Sequence, residues 1–364
     1  MNKKNGKIEL LRFIFCIIVA CYHLIIPLGL EKFRFMGMSF FAFGRVGVEF
    51  FFLLSGFFLA NSVRKMQGKP GSVSKKTVEF TAKKWYSVMP IYVPIFIVVF
   101  IVDQLIFSFT DAPLFDKIIG AFPNLFLFYY SNGIWHPYLI SVVWYISKML
   151  LAGAILFPLL YKNGKTFARV ICPIIAVFCY EYMLLKTGCL GGDQEHLFGL
   201  FSKWFLRALG GMSLGIFMYE LVGYLKKLDF KKGARIFFTC FEVALYIFAI
   251  VLTATTDIKF EGHFIPVIFT ALTITLSDIG FGGKCFNNKF VYFLGKLSLP
   301  FFLCHKPIIW TMTQIKVFKD MRAAILIPII FAVCIVLSLA FYFIGNKFKK
   351  ITDKVFYKFF PRES

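Results

Sequence analysis

Apolar positions along this chain gather into runs of about eighteen residues or more that neither alternate nor keep to one helical face. Each run is long enough to cross roughly 30 Å of hydrocarbon as a helix. The pattern predicts spans near 8–29, 40–62, 86–108, 139–161, 168–186, 204–224, 236–255, 263–280, 291–313 and 323–346. One further apolar run, 118–130 (IIGAFPNLFLFYY), is too short to cross and is interrupted by Pro123. It suits an interfacial or re-entrant helix on the outer side. The longest hydrophilic stretch is the basic loop from Val63 to Lys84, so no soluble appendage is expected. The resulting expectation is an all-α, polytopic integral membrane protein with about ten transmembrane helices. It forms a single domain over 1–364, and 347–364 is a basic cytoplasmic tail.

Composition removes the soluble alternative: 59% of the 364 residues are hydrophobic, and the mean hydropathy is +0.75. A soluble core hides one or two such helices from water, not ten. The first run follows Lys3, Lys4 and Lys7 as a signal peptide would. It carries Glu9, Arg12 and His23, however, and ends in Ile26-Pro27-Leu28-Gly29 without a small-residue cleavage site, so it reads as a retained helix. The net charge of +22 is distributed by side. The N-terminus, 63–85, 161–169, 225–235, 281–290 and the tail hold 26 Lys and Arg, and the intervening connections hold only a handful. This bias puts both termini in the cytoplasm. It assigns the basic excess to topology and to anionic membrane lipid, not to nucleic acid.

Nine cysteines are present, of which Cys16, Cys21, Cys172, Cys179, Cys240, Cys304 and Cys334 fall inside predicted spans. Cys189 and Cys285 lie outside, on opposite sides. With no CxxC pair and no ligand-like spacing, neither a disulfide framework nor a metal site is expected.

Ionisable groups inside spans are costly unless they face a polar interior, so each is a functional candidate. Arg12 and His23 are 11 residues apart on the first span. Eleven steps of 100° return to within about 20° of the same face, about 16 Å further along the axis. One helix face thus offers a cation near the cytoplasmic end and an imidazole beyond the midplane. Taken singly, Arg12 suits a snorkelling anchor and His23 a packing histidine; their shared face favours function. On the second span, Arg45 and Glu49 have the spacing to pair with each other, and Glu49 is placed to orient His23. Ser55-Gly56 leaves room for a ligand or another helix. His305 and Lys306 form a second intramembrane pair, and His136 reads as solvated. Lys148, Arg207 and Lys296 have Glu181, Glu220 and Asp278 as candidate partners. The run Phe50-Phe51-Phe52 reads as packing, and Gly210, Gly211 and Gly215 as points of close helix contact.

These residues carry a resemblance. Arg12-x10-His23 followed by GVEFFFLLSGF resembles the acyltransferase-3 family of membrane O-acyltransferases. Lys83-Lys84 resembles that family's basic patch before its third helix, and Trp144-Tyr145-Ile146-Ser147 its fourth-span block. Leu294-Gly295-Lys296-Leu297-Ser298 with Phe302-Leu303-Cys304-His305 resembles its late block. The ordered set covers nearly the whole chain. Two departures stand out: Ser87 where an Arg-x-x-Arg pattern has its second Arg, and Lys148-Met149 where many members have a Glu.

The resemblance implies a cell-membrane, multi-pass enzyme. It moves an acyl group, commonly acetyl, from cytoplasmic acetyl-CoA or another acyl-CoA to a sugar hydroxyl of a cell-surface or lipid-linked glycan. It assigns Arg12, Arg64, Lys83 and Lys84 to the coenzyme A phosphates and Ser55 to the donor channel. His23 acts as general base or as a transient acyl carrier, with Glu49 beside it. Arg45, Trp144 and His305 fall on the acceptor side. Acetyl against succinyl stays open, as do a polysaccharide, a lipid-linked intermediate, peptidoglycan or an osmoregulatory glucan as acceptor. The rival classes are a transporter or flippase, for which no half-to-half repeat is visible, and a non-catalytic partner of a glycan-synthesis complex, which the retained Arg12 and His23 argue against.

Overall fold

The structure is a computed structural model and describes residues 5–30, 34–35, 38–39, 41–106, 113–127, 139–191, 196–197, 201–254 and 261–360. Thirteen α-helices are described: α1 (Gly6–Leu24), α2 (Gly47–Met66), α3 (Val73–Ile106), α4 (Leu114–Leu125), α5 (Val143–Thr166), α6 (Cys172–Thr187), α7 (Lys203–Leu225), α8 (Lys232–Thr253), α9 (Glu261–Ser277), α10 (Gly283–Phe286), α11 (Lys289–Gln314), α12 (Lys316–Lys319) and α13 (Ala323–Phe359). Extended structure among the described residues amounts to two two-residue pairings, Arg34–Phe35 with Met38–Ser39 and His196–Leu197 with Phe201–Ser202.

Each predicted span overlaps one of these helices. Six continuous helical stretches among the described residues are long and apolar enough to cross a membrane. One of them, Val143–Thr187, covers 45 residues, about 67 Å at 1.5 Å per residue and twice the thickness of a bilayer core. Gly164, at φ 51° and ψ −126°, breaks it, a conformation open chiefly to glycine. The π-helical turn Phe167–Ile171 follows, and α5 and α6 both pack against α7. The stretch is thus two helices joined at a kink. α9 is only 17 residues long, and α1 carries Lys7, Glu9 and Arg12 in its first two turns.

Helix ends depart from the predicted spans where charge no longer limits them. α3 begins thirteen residues before its span because the Lys- and Glu-bearing stretch 73–85 keeps helical propensity outside the apolar run. α13 continues to Phe359, so most of the tail is helix. The tail docks on the start of α3: the Tyr86 and Phe356 rings stack at 3.9 Å, and the Tyr86 hydroxyl donates to Asp353 Oδ1 at 2.7 Å.

The centre of the bundle is the α2–α7 pair. A Cβ on Gly56 would stand 2.0 Å from the Met212 carbonyl oxygen, and one on Gly215 2.1 Å from that of Leu53. Only glycine admits this approach. α1 lies against α11 in the same manner, with Gly295 against Glu9 and the Cys16 thiol donating to the Ser298 carbonyl at 3.3 Å. Lys7 of α1 pairs with Glu242 of α8 at 2.7 Å.

The short apolar run 118–130 is described as far as residue 127 and forms α4 and a turn. The 12 residues of α4 rise about 18 Å, too little to cross. The Tyr92 hydroxyl donates to the Asn124 carbonyl at 2.6 Å, and Trp85 Nε1 to that of Phe126 at 3.2 Å. Tyr92 and Trp85 lie fourteen and twenty-one residues back from Ile106 on α3, about 21 and 31 Å along its axis. The end of α4 is therefore tied to α3 well back from Ile106.

Candidate active site

α1 presents its two predicted groups at different levels. Asn5 caps the helix by accepting from the Lys7 and Ile8 amides. Arg12 follows two turns in, bonded to Glu9 Oε2 at 3.1 Å and 35% exposed. Lys84, on α3, is close enough to feel the Arg12 charge, and its ammonium lies 5.8 Å from the Phe80 ring. Two cations 72 positions apart in sequence thus share one locality, an arrangement suited to phosphate. Lys83 points elsewhere and pairs with Glu79 at 2.5 Å. Arg64 is exposed at the end of α2, near Tyr219.

Above the cations the bundle interior is lined by small polar and aromatic groups. Ser55 Oγ bonds the Tyr145 hydroxyl at 3.2 Å, and Tyr145 also lies within reach of the Arg12 charge. The Tyr145 ring meets Phe302 at 5.7 Å, Phe302 meets His305 at 5.8 Å, and His305 meets His23 at 5.3 Å. A series of contacts drawn from α2, α5, α11 and α1 therefore leads from Ser55 and Tyr145 to His23. His305 is fully buried. Its Nδ1 lies 3.2 Å from the Phe301 carbonyl, and its Nε2 has no hydrogen-bond partner among the described residues.

His23 itself is half-buried and lines a cavity of about 420 Å³ between α1, α3, residues 139–141, α11 and α13. The polar members of that wall include Asp103, Ser141 and Lys306; the remainder is largely aliphatic.

The acidic residues expected beside these groups lie elsewhere. Glu49 does not pair with Arg45, nor does it contact His23. It is fully buried and accepts from Arg207 Nε at 2.6 Å and from the Tyr180 hydroxyl at 2.5 Å. The Arg207 guanidinium also stands 5.4 Å from the Trp144 ring, which stacks on Trp204 at 5.2 Å. Trp144 thus belongs to this ionic cluster, apart from the His23 wall. Arg45 pairs with Glu261 of α9, and the second oxygen of Glu261 accepts from the Leu190 amide at 2.6 Å. Glu220 takes Arg169, at 2.8 Å. His136 lies outside the described residues. No group of three or more potential metal ligands occurs among the described residues.

Sequence reasoning missed Tyr180 and Glu261 altogether. Glu261 fell two residues outside its predicted span. Tyr180 carried no signal, since tyrosine within an apolar run is ordinary. Arg207 was flagged as an intramembrane charge but given the wrong partners.

The sequence model of one family, described as an acyltransferase domain, matches residues 5–343. The chain belongs to the acyltransferase-3 family. No curated protein and no solved structure matches it. In this acyltransferase the Tyr145, Phe302 and His305 contacts lead to His23 at one end, and Tyr145 lies near enough to Arg12 to feel its charge at the other.

Proposed function

We propose that the protein is an O-acyltransferase of the cell membrane. It takes an acyl group, acetyl in the first instance, from cytoplasmic acyl-CoA and delivers it to a sugar hydroxyl of a cell-surface or lipid-linked glycan. The observation that carries the reading is the series of contacts from Tyr145 through Phe302 and His305 to His23, with Arg12 and Lys84 in the neighbourhood of its Tyr145 end. An anionic donor is attracted at one end of the series, and an imidazole waits at the other, beside a cavity.

In this reading Arg12 and Lys84 attract the coenzyme A phosphates, Arg12 through its planar fork and Lys84 as a point charge. The pantetheine arm lies along Ser55 and Tyr145. His23 accepts the proton of the acceptor hydroxyl as its oxygen attacks the thioester carbonyl. The carbon–sulfur bond then breaks, and the imidazolium returns the proton to the leaving thiolate, giving the ester and free coenzyme A. Glu49 has a supporting part only, fixing α2 against α7 through Arg207.

The test uses membranes containing the protein or its His23→Ala variant, supplied with acetyl-labelled coenzyme A. Label is followed into glycan and lipid-linked fractions of the native host. Label that appears with the wild type and is lost with the variant supports the reading. Equal label from both well-folded proteins would assign His23 a packing role and overturn the mechanism.

A further inference from the structure

The cavity beside His23 is out of proportion to an acetyl group, which brings one methyl to the reaction, whereas about 420 Å³ is the scale of a whole small-molecule site. Its walls are aliphatic: Ile95, Val98 and Val102 of α3, Ile308 of α11, Val333 and Leu337 of α13. Three of the lining residues also reach the outer surface of the bundle, Val98 at 44%, Trp310 at 47% and Leu337 at 36% exposure. α3 and α13 are among the most apolar of the helices. The mouth between them therefore faces hydrocarbon.

Two charged residues line this wall, Asp103 and Lys306. Lys306 is half-buried in it and makes no salt bridge among the described residues. A cation at such a site is costly without an anion, and an ammonium is a ready phosphate partner. Asp103 and Ser141 add hydrogen-bonding groups, and His23 closes the wall. Apolar groove, cation, carboxylate, hydroxyl and imidazole are thus collected in a single cavity. That set complements a hydrocarbon chain, a phosphate and a sugar joined in one molecule.

We propose that this cavity holds the apolar chain and phosphate of a lipid-phosphate-linked sugar, the form in which the acceptor reaches His23. The proposal rests on the acyltransferase reading above and narrows its acceptor. A water-soluble polysaccharide would need polar walls, which α3, α11 and α13 do not supply here. A long acyl chain of the donor would fill the groove but leave Lys306 unanswered.

The experiment is photo-crosslinking in nanodiscs of neutral lipid. The probe is farnesyl monophosphate with a diazirine near its apolar end, and uncharged diazirine farnesol is the control. Saturable labelling of peptides from α3, α11 and α13 is expected. Val333→Trp, which fills the groove, should weaken labelling by both probes at least tenfold, and Val102→Phe serves if the first variant does not fold. Lys306→Gln should weaken farnesyl phosphate about tenfold and leave farnesol unchanged. Labelling indifferent to the groove variants would overturn the proposal, as would an equal effect of Lys306→Gln on both probes. Displacement by phosphatidylglycerol as effective as by unlabelled farnesyl phosphate would mark an ordinary lipid groove, and displacement by palmitoyl-CoA an acyl-donor pocket; either also overturns it. Failure of the acyltransferase reading shows separately, as absent acetyl-CoA binding and transfer while probe labelling persists.

Discussion

The Glu49–Arg207 pair offers the sharpest energetic test of the bundle. Glu49 is fully buried, Arg207 is 2% exposed, and the ion pair measures 2.6 Å. Replacing Arg207 with Met strands a carboxylate whose remaining partner is the Tyr180 hydroxyl. Breaking a buried pair in this way costs about 3–5 kcal/mol, most of it from the uncompensated charge left behind. Glu49→Gln strands the guanidinium instead and should cost a similar amount. The double variant leaves no charge, and the amide introduced at position 49 still offers the Tyr180 hydroxyl an acceptor, so its loss should stay below about 2 kcal/mol. The two single losses together then exceed the double by more than about 3 kcal/mol, a strong coupling for residues in contact. Reversible unfolding in mixed micelles, titrated with a denaturing detergent, measures all four proteins. Single effects that add to the double within about 0.5 kcal/mol would refute the reasoning, because the pair would then not be coupled.

Three other outcomes follow from contacts described above. Gly215→Val puts branched carbon where even a Cβ would meet the Leu53 carbonyl at 2.1 Å; separation of α2 from α7 should destabilise by more than about 2 kcal/mol, visible as early unfolding in the same titration. Lys84→Gln should raise the KM for acetyl-CoA several-fold with little change in kcat, the difference shrinking at high salt as screening weakens the Lys84 attraction; an unchanged KM removes Lys84 from the donor site. Tyr86→Ala removes the stack on Phe356 and the bond to Asp353. It should make 345–359 several-fold more sensitive to limited proteolysis while leaving the apolar part of α13 protected.

Where the helices lie was legible, because hydrocarbon thickness sets the length of an apolar run and ten such runs stand out of this sequence. Helix ends outside the bilayer were not, since α3 before Tyr86 and α13 beyond Asn346 are shaped by contact with each other. The same division holds at the site. Arg12 and His23 share a face by helix geometry alone, and the family blocks pointed to Tyr145 and His305. Ion-pair partners followed a different rule. Arg45 and Glu49 have the spacing to pair one turn apart, but Arg45 lies in the 3-10 turn Gly44–Val46 before α2, where it meets Glu261 and the aromatic rings of Tyr22 and Phe43, and Glu49 meets Arg207 and Tyr180. A desolvated carboxylate needs every bond that neighbouring helices supply, and one sequence does not announce which helices those are.

The short helix α4 bears on the order of assembly. Its 12 residues do not qualify as a span during insertion, so the segment cannot be threaded into the membrane on its own account. The carbonyls of Asn124 and Phe126 are met by Tyr92 and Trp85, side chains of a helix synthesised earlier. α3 must therefore already be in place when α4 folds in against it. Until then those carbonyls belong at the aqueous boundary, since hydrocarbon offers them no donor. A chain lacking the Trp85 indole and the Tyr92 hydroxyl would still insert its long helices, and the defect would surface later, as α4 left waiting at the interface of an otherwise threaded protein.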